Sequence, residues 1–187
     1  MNSALIVMDV QPGIVERLAE STALLNRLAR AVSAAREASL PVIFVRIAFR
    51  PGFPEANPAN PTFAALASRS GDGFAENSPK TQVHPYLNPL PNHLVVIKKR
   101  VSAFAGSDLE ILSRSKQINH LVLAGISTSG VVLSTVTEAA DRDYRLTVLS
   151  DGCADSDEEV HRVLTTKIFP RQAEVTTIDE WITALTT

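Results

Sequence analysis

Short apolar runs, rich in β-branched residues, recur along the chain, each closed off by polar or turn-forming residues. They are ALIVM from Ala4, PVIFVRI from Pro41, LVVI from Leu94, LVLAG from Leu121 and LTVLS from Leu146. Runs without a polar face predict strands covered on both sides, as in a parallel sheet. Between them, apolar positions return at helical spacing over residues 23–38, 109–117, 131–142 and 158–166. A weaker sixth strand, EVTTI from Glu174, precedes a last helix over residues 179–185, which Asp179 is placed to cap. This alternation predicts an α/β, doubly wound fold. Its sheet is six-stranded and mainly parallel, with helices on both faces in a Rossmann-like three-layer arrangement and right-handed crossovers.

Residues 49–91 break the rhythm. Most of the prolines fall there, together with Gly52, Gly71 and Gly73, and the pattern predicts a long surface excursion with a short helix over residues 62–68. Such a segment serves as a substrate lid, as an oligomer contact, or as a plain connection. A length of 187 residues and the absence of a linker favour a single domain over residues 1–187. With 45% apolar and 20% charged residues, the composition is that of an ordinary globular chain. A net charge of −2, with basic residues scattered, argues against nucleic acid as a partner. The apolar run at the amino terminus is too short to span a membrane and has no basic flank, and the single Cys153 cannot form an internal disulfide. A cytoplasmic protein without a membrane partner is the expectation.

In doubly wound sheets, ligands bind beyond the carboxyl ends of the strands, and three segments with chemical potential lie there. Asp9 follows the first strand and is succeeded by Gln11, Pro12 and Gly13. A desolvated carboxylate there can exchange protons with a substrate, or it can cap the helix after the turn. Lys98 closes the third run in IKKRVSAF and emerges at the same edge. Beside Asp9 it would depress the acid's pKa and offer a cation to a substrate, although Lys98, Lys99 and Arg100 could also be a solvated cluster. After Gly125, a turn through Ser127, Thr128 and Ser129 leads into a helix. Its amides could receive an anion, while N-capping explains each hydroxyl residue equally well.

In this order and at these spacings, the three segments resemble the isochorismatase-like hydrolases, or cysteine hydrolase family, over most of the chain. Asp9 and Gln11 fill the family's D-x-Q motif. Lys98, Arg100, Ser102, Ala103 and Phe104 fill K-x-R-x-S-A-F, which selects Lys98 over Lys99. Gly125, Thr128, Val132, Thr135, Tyr144 and Asp151 fit the third motif, in which the nucleophilic cysteine falls on Val131. The resemblance implies a hydrolase acting on a small, carboxylate-bearing metabolite. Asp9 and Lys98 would be its catalytic pair, and Gln11, Arg100, Ile126, Ser127, Thr128, Ser129 and Gly130 its substrate-binding residues. It also implies a cis peptide at Ile126–Ser127 and assembly as a homo-oligomer, dimer or tetramer.

A valine supplies no nucleophile, so thiolate attack is unavailable from position 131, and Cys153 matches no nucleophile position. The family's isochorismatases proper also lack the cysteine, usually carrying glycine there, and are taken to protonate a vinyl ether with the Asp before water attacks. Acid–base catalysis by Asp9 and Lys98 is the corresponding expectation here. The alternative is a catalytically inactive member that binds a small molecule or serves as a structural oligomer. Family nicotinamidases hold a metal through an Asp and paired His residues after the second strand. RIAFRPGFPEANPAN, from Arg46, contains neither residue type, so no metal is expected. No cofactor is expected either, because the first strand leads into DVQPG and not a G-x-G-x-x-G turn.

Overall fold

Along the first strand, side chains divide between two apolar layers. Ala4, Ile6 and Met8 enter one core and Leu5 and Val7 the other, which is why the run carries no polar face. The computed structural model describes residues 2–19 and 21–186. Its strands are β1 (Ser3–Met8), β2 (Val42–Ile47), β3 (Leu94–Lys98), β4 (His120–Ile126), β5 (Arg145–Ala154) and β6 (Glu174–Thr176). Its α-helices are α1 (Pro12–Val15), α2 (Ser21–Glu37), α3 (Pro61–Ser70), α4 (Leu109–Ser115), α5 (Leu133–Asp141), α6 (Glu158–Val163) and α7 (Ile178–Leu185).

The strands form one six-stranded parallel sheet in the order β3-β2-β1-β4-β5-β6, the expected α/β doubly wound architecture. One face packs against α4 and α5 through Leu109, Val136 and Ala139. The other packs against α2 and α7 through Leu24, Leu28, Val32 and Trp181. Full burial of one such leucine contributes about 2 kcal/mol. No described helix is long and apolar enough to cross a membrane.

The chain winds outward from β1 to β3 and then crosses back to β4, so β1 and β4 flank the switch point. A crevice opens there beyond the strand ends. At that end Gly125 has φ +147, and a Cβ on it would lie 2.1 Å from the Met8 carbonyl oxygen. Only glycine lets β4 approach β1 this closely.

Several boundaries differ from the sequence expectation. β5 continues past LTVLS to Ala154 because its register against β4 slips, with Leu123 opposite Val148 but Gly125 opposite Cys153. The intervening residues bulge out, and a polar stretch stays within the strand. The helix expected from residue 131 begins as a π-helical turn, Thr128–Val132, and becomes α5 at Leu133. Asp179 does not cap the last helix. Thr177 does, in a capping box in which its hydroxyl accepts from the Glu180 amide while the Glu180 carboxylate accepts from the Thr177 amide.

Residues 49–91 contain α3, started by Asn60 and Pro61, and several short 3₁₀ turns. Phe49, Phe63 and Phe74 pack with Ile47 into a third apolar cluster, which seats this segment over the strand ends as a roof.

Candidate active site

Asp9 stands one residue beyond β1 with φ +56, a left-handed conformation that Asp tolerates better than most side chains. This turn carries its carboxyl group into the crevice, where the residue is only 5% exposed. Lys98 comes from β3, two strands away, a span of about 10 Å that its long side chain bridges beneath the roof. Its Nζ lies 2.9 Å from Asp9 Oδ2 and donates to the carbonyl oxygens of Arg100 (2.9 Å) and Val101 (3.0 Å). Asp9 Oδ1 is buried without a hydrogen-bond partner among the described residues. Burial raises the Asp9 pKa above the usual carboxylate range, against the opposing pull of Lys98 and of the Ile47 amide. The expected depression by Lys98 is therefore corrected: desolvation outweighs the ion pair.

Asp9 and Lys98 line a cavity of about 290 Å³. Ile126, Ser127, Gly130 and Val131 form the wall on the β4 side, and Phe63, Leu66 and Phe74 close it from the roof. The segment 49–91 is thus part of the crevice and not a mere connection. The Ile126–Ser127 peptide is cis, as the resemblance implied. A Cβ on Gly130 would lie 2.6 Å from Ser127 Oγ, so glycine makes room for that hydroxyl. Val131 is 3% exposed and belongs to the core as well as to the cavity wall.

Other residues expected at the substrate are committed elsewhere. Gln11 is 1% exposed and clamps the chain below the crevice. Its Nε2 donates to the Ile47 and Thr81 carbonyls at 3.0 and 2.9 Å, and its Oε1 accepts from the Ile47 amide at 2.8 Å. The D-x-Q spacing therefore serves folding at its second position. Gln11→Leu is expected to lower stability by about 2 kcal/mol, because it orphans a buried donor and acceptor. The measurement is a melting midpoint lowered by roughly 4–8 °C.

Arg100 donates to the Glu55 carbonyl at 3.0 Å and lies over the Phe63 ring, so it ties the roof to β3 and does not line the cavity. Lys99 does similar work, donating to the Ala48 carbonyl and pairing with Glu76. Thr128 is fully buried with its hydroxyl 2.8 Å from His161 Nδ1. The Ser129 amide donates to Asp155 at 2.7 Å, and those of Gly130 and Val132 donate to the Ser127 carbonyl. These three amides are occupied, which corrects the expectation that the turn offers them to an anion.

The remaining motif residues form scaffold. Thr135 Oγ1 accepts from the Ala103 amide at 2.9 Å, and Phe104 stacks on Tyr144. The Asp151 carboxylate accepts from the Ile178 amide at 2.8 Å. Cys153 is buried in the core with its thiol pushed up to about 12 by desolvation, and it does not line the cavity. Sequence reasoning missed Arg17, which follows α1 and reaches the cavity mouth, and the aromatic roof of Phe63 and Phe74. No short motif marks them, because only the folding of residues 49–91 over α1 brings them together.

Comparison with known proteins gives a consistent result. Residues 3–180 match the isochorismatase domain. The chain is 28% identical over 187 residues to YecD, an uncharacterised isochorismatase family protein of Escherichia coli O157:H7, covering 98% of this chain and 96% of the relative. It is 29% identical over 170 residues to the ureidoacrylate amidohydrolase RutB of Variovorax paradoxus, covering 80% and 68%. An isochorismatase family protein from Burkholderia thailandensis superposes with a TM-score of 0.86 at 29% identity, covering 100% of this chain and 96% of the other.

Proposed function

The chain belongs to the isochorismatase family, and on that premise we propose that it is a hydrolase working by acid–base catalysis, without a covalent thioester, on a small carboxylate-bearing metabolite. The observation that carries this reading is the Asp9 carboxyl group. Its Oδ1 is buried and has no hydrogen-bond partner among the described residues, at a cavity wall where Val131 stands. A carboxyl group whose pKa is raised by burial retains a proton closer to neutrality, and its free oxygen can deliver that proton to a substrate atom in the cavity. Lys98 holds Oδ2 and thereby orients the acid.

The proton passes from Asp9 Oδ1 to the substrate atom that becomes the better leaving group or electrophile. Water then adds to the activated carbon, the bond from that carbon to the leaving group breaks, and the proton given up by the water returns to the Asp9 carboxylate. The side chains of Ile126, Val131 and Phe63 limit water at the cavity wall and strengthen the local electrostatics. No thiol takes part: Val131 has none, and Cys153 lies in the core at a pKa of about 12. Homo-oligomerisation belongs to the same proposal, supported by the apolar side chains of Val95, Ile97 and Ile111 around a shallow surface depression at the edge strand β3.

Purified protein is to be assayed for pyruvate release from isochorismate and for ammonia release from a panel of small amides and N-carbamoyl acids. Turnover of one such substrate by the wild type supports the reading, and no turnover of any of them counts against it. Val131→Cys is the companion variant. At that position a thiol faces the same cavity as Asp9 and Lys98, so ammonia release from an amide is expected to rise at least about tenfold. A gain inhibited by iodoacetamide would identify the new thiol as its source.

A further inference from the structure

Lys98, the cation nearest the reacting centre, has no donor left for a substrate. The three N–H bonds of its ammonium meet Asp9 Oδ2, the Arg100 carbonyl and the Val101 carbonyl, and the residue is 1% exposed. A carboxylate in the cavity must find its cation elsewhere.

Arg17 is the other cation on the cavity lining. It is exposed, it stands 5.9 Å from the centre of the Phe74 ring, and its side chain makes no ion pair or hydrogen bond among the described residues. It also lines an adjoining outer cavity of about 430 Å³, to which Arg69 contributes further positive charge. Glu16, the acid on that lining, is already paired with Lys80 at 3.1 Å. Positive charge thus gathers at the mouth, while Phe63, Phe74, Ile126 and Val131 provide apolar surface inside.

We infer that Arg17 determines specificity by binding the substrate's carboxylate at the cavity mouth, with Arg69 helping to draw the anion in. The reacting end of the substrate then lies inward at Asp9. The planar guanidinium suits this task, because its paired N–H groups match the two carboxylate oxygens. This inference rests on reading the Asp9 cavity as the site of a hydrolase.

Benzoate and benzamide test it, since they share ring and size and differ in charge. Each is titrated into the isotope-labelled full chain and followed by the backbone amides of residues 126–131 and the arginine Nε–H signals. Benzoate is expected to shift these signals, and Arg17→Gln to weaken it about tenfold or more without changing benzamide binding. Arg69→Gln should weaken benzoate less, with an effect that fades as salt is added. Equal benzoate affinity in Arg17→Gln and wild type, or an equal loss for both probes, overturns the assignment. Turnover is measured separately on the same preparation. Absent turnover with an intact difference between the probes would remove the hydrolase reading and leave Arg17 as an anion site.

Discussion

Asp9→Asn is expected to lower turnover by about 10²–10⁴-fold while leaving the protein folded. The amide matches the carboxyl group in size, so its oxygen can still accept from Lys98 Nζ where Oδ2 now does. What the variant lacks is a transferable proton. On the proposed mechanism the active form carries the proton on Asp9, so the rate should fall as pH rises through the raised pKa of that group. The variant's residual rate should not show that limb. Stability follows the same sign. A carboxyl group with a folded-state pKa above its unfolded value stabilises fully at low pH, and the contribution is lost as pH rises through the folded value. Asp9→Asn removes this dependence, so urea unfolding at several pH values gives a flatter profile than the wild type. An unchanged rate in Asp9→Asn would exclude Asp9 as the acid.

Lys98→Met removes the partner of a buried charge and is expected to cost about 3–5 kcal/mol above the Asp9 pKa. Methionine fills much of the volume but offers no donor to Asp9 Oδ2 or to the carbonyls of Arg100 and Val101. The melting midpoint should fall by roughly 10 °C. Acid should repair part of this loss, because a protonated Asp9 no longer places an uncompensated charge in the crevice. The deficit relative to wild type is therefore expected to narrow as pH falls. A deficit constant across pH would show that lost packing, and not lost charge, accounts for it.

The sheet was legible because each strand is apolar on both faces and bounded by turn residues, a pattern that Ala4 to Met8 and Leu121 to Ile126 carry strongly. The placement of Asp9 and Lys98 followed from the rule that strand ends face the crevice. Less legible was the direction in which a polar side chain spends its hydrogen bonds. Gln11 stands two residues from Asp9 yet turns to the backbone of Ile47 and Thr81, which are remote in sequence. The capping box of Thr177 and Glu180 was present in the sequence, but Asp179 competes locally with the same propensity. Only hydrogen-bond geometry separates them. Arg17 and the roof aromatics carried no signal, because their proximity depends on long-range packing of residues 49–91.

The three consecutive cations at the end of β3 part company in space. Lys98 turns inward to Asp9, Lys99 reaches Ala48 and Glu76, and Arg100 reaches Glu55 and the face of Phe63. The backbone that carries Lys98 is therefore riveted to the roof along one margin. Swinging the roof open from that margin would break these bonds and drag on the carbonyls that hold the Lys98 ammonium. The outer cavity beside this roof is lined by Arg17, by Arg69 of α3 and by Lys80. On the proposed reading, an anionic substrate arriving by diffusion meets the field of Arg17 and Arg69 at this basic side before it meets Asp9.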